Sequence, residues 1–292
     1  MTWQGETFKG KLGFTMAESQ SSWRMPPRPP EGSPNVIFIV LDDIGYGHLG
    51  CYGAPIETPN IDGLAQAGCR FTEAYAGGDS STASMWCLMT GRYTAMAVQD
   101  GKLSFTLSPD QKTLPHVMRL TEYATGFVGA WDLGDAAEGN NPGSHGFDEW
   151  SGILAPAGAE SAYPASIFSN GKSVPVPENA KKKQGLDLPQ LLVKEAISFL
   201  ERHASGKPFL LVVTYPLPGA ELPLAESGVY ADCNWTAAQK TYAEKVARFD
   251  RDVGALTEAL EKLGLSQRTA VVLTSDGAAK HDKAKPDVFH SH

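Results

Sequence analysis

A chain of 292 residues, 42% hydrophobic and 20% charged, can bury one large core, or a main domain with a small annex. Its formal net charge of −8 argues against a nucleic-acid partner, which would select a basic face, but leaves room for a small anionic substrate in a locally positive pocket. The longest apolar run, Val36 to Leu41, is too short to span a bilayer. Residues Met1 to Gln20 show no apolar core of a secretory signal, so a cytoplasmic location with no membrane partner is the expectation. Cys51, Cys69, Cys87 and Cys233 form no CxxC pair and read as mostly buried thiols.

In chain order, residues 1–34 contain Pro26, Pro27, Pro29, Pro30 and Pro34 and read as an extended N-terminal arm on the surface. The main domain is expected over residues 35–292. Val36-Ile37-Phe38-Ile39-Val40-Leu41 is a β-branched and aromatic run, as in a strand buried on both faces. Asp42-Asp43 follows it, then a loop with Gly45, Gly47, Gly50 and Gly53. Thr58-Pro59 opens a helix, with the threonine hydroxyl expected to cap it, and Gly68 closes it. Phe71 to Tyr75 predicts a second strand, Ser81 to Met89 a helix stopped by Gly91, and Thr113 to Leu120 another helix. Ala124 to Gly129 predicts a strand, and the Gly-, Pro- and Asn-rich stretch 132–183 predicts long loops. Leu188 to His203 reads as an amphipathic helix, Pro208 to Tyr215 as a buried strand, Thr236 to Leu263 as a long helix and Thr269 to Thr274 as the last strand.

Strands alternating with helices argue for an α/β sandwich around a mainly parallel sheet, whose ligands sit beyond the carboxyl ends of the strands. Asp42, Asp43 and Asp276 all fall there. Adjoining carboxylates repel unless a cation holds them, and hard cations such as Ca²⁺ or Mg²⁺ prefer oxygen ligands. The spacing alone also fits aspartates that cap loops, and Asp276-Gly277 is an ordinary turn pair.

The stretch 34–76, PNVIFIVLDDIGYGHLGCYGAPIETPNIDGLAQAGCRFTEAYA, resembles the first strand, metal loop and following helix of the arylsulfatases. TGR at 90–92, TLP at 113–115, YATGFVG at 123–129, HGFDEW at 145–150 and VVLTSDG at 271–277 extend the resemblance over most of the chain. It implies an alkaline-phosphatase-like α/β/α sandwich and a divalent metal, Ca²⁺ or Mg²⁺, on Asp42, Asp43 and Asp276. Counting back from Thr90-Gly91-Arg92 puts Ser81 at the nucleophile position, which that family converts to formylglycine. The implied substrate is a small sulfate ester, or a phosphate ester if Ser81 stays unmodified.

The chain departs from the family pattern where positive charge belongs. Met85 stands at the arginine, Ala130 at the lysine and Asp132 at the histidine of GKWHLG, and Glu221 at a later histidine; separately, Gly277 stands at an uncharged position, the asparagine after the last metal aspartate. Lys280 and His281 follow Asp276. Against the resemblance, residues 35–292 lack the small C-terminal sheet domain and a last lysine, which would expose a sheet edge unless another chain covers it, so that either a homo-oligomer or an unstable chain is the expectation. The residues leave three readings: a sulfatase-like protein of weak or no activity, a metal-dependent phosphohydrolase using unmodified Ser81, and a non-catalytic protein or truncated paralogue.

Overall fold

The computed structural model describes residues 11, 13–20, 28–42, 44–99, 101–134, 139–154, 161–216 and 228–277. The strands are β1 (Asn35–Leu41), β2 (Val98–Gln99), β3 (Lys102–Leu103), β4 (Ala124–Trp131), β5 (Glu149–Leu154), β6 (Ser166–Ser169), β7 (Lys172–Pro175), β8 (Phe209–Tyr215) and β9 (Thr269–Ser275). The helices are α1 (Pro59–Ala67), α2 (Ser81–Thr90), α3 (Leu114–Leu120), α4 (Leu188–His203) and α5 (Ala237–Lys262). Among the described residues one sheet runs in the order β7-β6-β5-β4-β8-β1-β9. Its β5-β4-β8-β1-β9 part is parallel, and β6 and β7 join antiparallel. β2 and β3 form a separate small hairpin.

Alternation along the central strands sorts side chains into two cores, as the period of two in a strand requires. Ile37, Ile39 and Leu41 of β1 and Leu211, Val213 and Tyr215 of β8 pack beneath α1, α4 and α5 with Ile61, Leu192, Phe199, Phe249 and Val253. Val40, Leu210 and Val212 face the other way, against Met85, Trp86 and Met89 of α2. Every residue of β8 is buried, because both faces of this strand are covered by helices. The result is the three-layer α/β/α sandwich that the alternation of elements predicts.

Several elements differ from the sequence reading. Phe71 to Tyr75 is not a strand, and Phe71 and Tyr75 are 73% and 83% exposed. The residue types favour a strand, but no described strand runs beside them, and propensity without a pairing partner does not make one. Tyr52 Oη donates to Phe71 O at 3.1 Å and the Arg70 guanidinium donates to Cys51 O, which tethers this segment instead. Within 132–183, read as loops, lie β5, β6 and β7. The glycines that suggested loops serve a close strand approach: Gly152 of β5 pairs with Gly129 of β4, both at positive φ, and a Cβ on Gly152 would sit 1.8 Å from Gly129 O. Thr58 does not cap α1 with its side chain; its hydroxyl accepts from Gly50 N–H at 2.8 Å and donates to Asp62 Oδ1 at 2.9 Å. The cysteines are free thiols, but Cys51, Cys87 and Cys233 are only half-buried and Cys69 is exposed. An apolar residue type favours burial, yet three of the four stand outside the sheet and the long helices, where surface loops and a short helical turn surround them.

In the N-terminal arm, Lys11 bridges Gln20 around a turn with Phe14 and Met16 exposed, so the described part folds back locally rather than running straight. No helix among the described residues is long and apolar enough to cross a membrane.

A buried charge group joins α4 to α5. Asp187 caps α4 by accepting from Gln190 N–H at 2.9 Å, and Arg248 Nη2 donates to its Oδ1 at 2.7 Å. Arg248 Nε also lies 3.7 Å from Asp252 Oδ1, while Asp252 Oδ2 and the buried Tyr215 hydroxyl find no hydrogen-bond partner among the described residues. Burial outweighs the arginine and lifts Asp252 to about 6. The folded chain therefore holds this proton more tightly than the unfolded chain. Stability from this group is full below the ordinary aspartate value and is lost as pH rises through about 6. Asp252→Asn is expected to gain thermal stability relative to wild type between about pH 5 and about pH 8, measured by thermal melts across that range.

Candidate active site

The carboxyl ends of β1 and β9 are stitched together. Their register sets Leu41 opposite Ser275, so Asp42 and Asp276 occupy neighbouring positions just past the strands. Asp276 N–H donates to Leu41 O at 3.1 Å, Ser275 Oγ donates to the same carbonyl at 3.0 Å, and Ile44 N–H donates to Ser275 Oγ at 3.2 Å. Asp276 is buried and Asp42 half-buried. Asp43 lies outside the described residues, as do Glu221, Lys280 and His281.

α2 brings its first turn to this end of the sheet. Ser80 is its cap, with Oγ accepting from Ala83 N–H at 3.3 Å, so Ser81 is the first helical residue and its hydroxyl is not spent on capping. Ser81 Oγ donates to Asp42 Oδ1 at 3.4 Å, a long contact. Thr82 Oγ1 donates to Asp132 Oδ2 at 2.8 Å. Asp132 directly follows β4, which is separated from β1 by β8. One helical turn thus reaches across the sheet to two carboxylates. Burial, with the nearby Asp42 charge, holds the Asp132 carboxyl above the ordinary aspartate range, and the Thr82 bond opposes that shift.

The positions where the resemblance expects cations carry none. Met85, one turn beyond Ser81, is buried in the cluster of Val40, Trp86, Met89 and Val212. Ala130 is fixed by its backbone: its N–H donates to Thr214 Oγ1 at 3.0 Å, and that hydroxyl donates to Ala130 O at 3.2 Å. Gly277 offers only backbone, its N–H reaching Ser275 Oγ at 3.4 Å. His48, in the loop after Asp42, is buried beside the Tyr242 hydroxyl at 3.0 Å, and burial lowers it to about 4, so it is neutral at neutral pH. His145 is likewise lowered to about 4 by burial.

The structure brings Ser81, Asp42 and Asp276 to the same end of the sheet, as their sequence positions predict. Among the described residues no set of three His, Cys, Asp or Glu side chains converges as a metal cluster. Sequence reasoning missed Thr82 as the partner of Asp132 and Ser275 as the link between strand ends. The run Ser80-Ser81-Thr82 was the available signal: a helix needs one hydroxyl to cap it, which leaves two for other work.

Fold and site together define an α/β/α sandwich with carboxylates at the strand ends and a serine at a helix start. The Sulfatase family model matches residues 34–288, and the chain belongs to that family. It is 29% identical over 279 residues to N-acetylgalactosamine-6-sulfatase of Rattus norvegicus, a match covering 84% of this chain and 50% of that protein. It is 32% identical over 275 residues to arylsulfatase A of Bos taurus, covering 83% of this chain and 52% of that protein. Among solved structures, Ps i-CgsB in complex with k-i-k-neocarrahexaose matches with a TM-score of 0.71 at 30% identity, covering 85% of this chain and 59% of that one. The chain spans about half the length of the curated relatives it matches.

Proposed function

We propose that this chain retains the fold and the metal-binding end of a sulfatase site but hydrolyses sulfate esters poorly or not at all. The observation that carries this reading is the Asp132 carboxylate, held by Thr82 in the same helical turn as Ser81 and close to Asp42. Sulfuryl transfer needs positive groups aimed at the charge that develops on the transferred and leaving oxygens, and losing one such group costs about a hundredfold or more. A carboxylate in that place repels the anion as well.

Asp42, Asp43 and Asp276 are the residues that would hold the metal, and an all-oxygen set suits Ca²⁺ or Mg²⁺. The bound ion would supply positive charge to an oxygen of a small sulfate or phosphate ester. Ser81 is the residue that would carry formylglycine, whose hydrate offers the second hydroxyl needed to expel sulfate. The placement of Ser81 at the start of α2 suits an attacked anion, since the free N–H groups and the helix dipole favour negative charge there.

Because Ser80 rather than Ser81 caps α2, the Ser81 hydroxyl is left for other work, which favours a second reading, a metal-dependent phosphohydrolase in which the unmodified serine would take the phosphoryl group. One assay separates the readings. With Ca²⁺ or Mg²⁺ present, aryl sulfate turnover is expected about ten-thousandfold or more below a working arylsulfatase, from the two positions 130 and 132 alone. Turnover near that of the relative, abolished in Ser81→Ala, would overturn the proposal. Aryl phosphate turnover that needs metal and Ser81, without any maturation step, would replace it with the second reading.

A further inference from the structure

The parallel sheet comes apart at its carboxyl end, between β4 and β8. Their ladder runs from Ala124↔Phe209 to Val128↔Val213 and stops there, although β4 continues to Trp131 and β8 to Tyr215. Beyond that point β4 stays with β5 through Trp131↔Leu154, and β8 stays with β1 through Tyr215↔Leu41. Asp132 therefore leaves the sheet on one side of the split and Asp42 on the other, at the strand ends where such sheets hold ligands.

One side chain stands in the split. Thr214 is buried, and its Oγ1 accepts from Ala130 N–H at 3.0 Å and donates to Ala130 O at 3.2 Å. A single hydroxyl thus closes both backbone groups that a neighbouring strand would otherwise take. Gly129 makes room for it, since a Cβ there would lie 2.0 Å from Thr214 Oγ1 and 2.4 Å from Thr214 O.

We propose that Thr214 is a positioning residue for Asp132: its hydroxyl wedges β4 away from β8 and so aims the end of β4 at the first turn of α2. There Thr82 Oγ1 meets Asp132 Oδ2 at 2.8 Å, so the carboxylate is held both through its own strand and by the helix opposite. A β-branched threonine suits a wedge because its side chain is stiff at χ1. Valine has the same shape, but it would leave Ala130 N–H and O unpaired and the strand end free to shift. The proposal rests on the reading that Asp132 faces the anion side of the site, and it supplies the device that keeps the carboxylate there.

The strand and the anion are tested separately. Amide hydrogen exchange at residues 130–132 is expected to quicken about tenfold or more in Thr214→Val and to stay at the wild-type rate in Thr214→Ser, which keeps the hydroxyl. Sulfate is expected to bind Thr214→Val about threefold or more tighter than wild type, because the released carboxylate is no longer aimed at the anion. Made in Asp132→Asn, the same change is expected to alter sulfate affinity less than about twofold. Wild-type exchange in Thr214→Val, valine-like exchange in Thr214→Ser, or a sulfate change of equal size with and without the Asp132 carboxylate would each overturn the proposal. Asp132→Asn that binds sulfate no better than wild type would instead sink the reading of the site, and the exchange rates would still decide whether Thr214 sets the strand end. Should Thr214→Val fail to fold, wild type decides: the Ala130 amide is expected to be as protected as the Val128 amide within the ladder, and free exchange at Ala130 would refute the wedge.

Discussion

Met85→Arg, which restores the family residue at that position, is expected to destabilise the chain by about 3–5 kcal/mol rather than to repair the site. In this structure residue 85 is packed among Val40, Trp86, Met89 and Val212, with Trp86 and Met89 fully buried beside it. A guanidinium placed there loses its hydration and meets no carboxylate among those neighbours, and an uncompensated buried charge is one of the few single changes of that size. Chemical denaturation of wild type and variant measures it. A variant as stable as wild type would mean that the side chain at 85 can reach the Ser81 end of α2, and that the apolar packing of Met85 does not define the local structure. Met85→Leu, of similar volume, is the control and is expected to cost less than about 1.5 kcal/mol.

Asp132→Asn is expected to tighten binding of inorganic sulfate by about tenfold or more. Two unit charges about 5 Å apart at an effective dielectric constant of about 20 interact with about 3 kcal/mol, which sets the upper range of the effect. The carboxamide of this variant would retain a polar contact to the Thr82 hydroxyl, so the first turn of α2 keeps its anchor and the comparison isolates the charge. Competition of sulfate against a fluorescent anion, or direct calorimetry, reads the change. Equal affinity in wild type and variant would remove Asp132 from the anion side of the site. Burial already holds this carboxyl above its ordinary range, so the contrast is expected to grow with rising pH as Asp132 ionises more fully.

Much of the fold was legible because its central elements are overdetermined. β1, β4, β8 and β9 are short apolar runs, and α4 and α5 carry long amphipathic patterns between turn residues. The failures came where residue type and tertiary context part company. Phe71 to Tyr75 has a strand's residues without a strand beside it. β5 to β7 have a loop's residues, but Gly129 and Gly152 turn that glycine content into a close strand pairing. At the site, the placement of Asp42 and Asp276 followed from strand ends alone, since a parallel sheet delivers such residues to one side. What no spacing could give was the cross-sheet reach of α2, in which consecutive hydroxyls of Ser81 and Thr82 meet carboxylates from the ends of β1 and β4. That depends on how the helix sits over the sheet, which only the packing of Trp86 and Met89 determines.

The strand-end carboxylates are expected to bind a divalent cation even though Ala130 and Asp132 stand where the resemblance expects a lysine and a histidine. Calorimetric titration of the metal-stripped chain with Ca²⁺, beside Asp42→Asn and Asp43→Asn, tests this without assuming any substrate. Saturable binding to wild type that is lost or strongly weakened in both variants is the predicted result. No binding to wild type, or binding that both variants retain unchanged, would contradict the metal site and leave a chain that shares only the sulfatase fold.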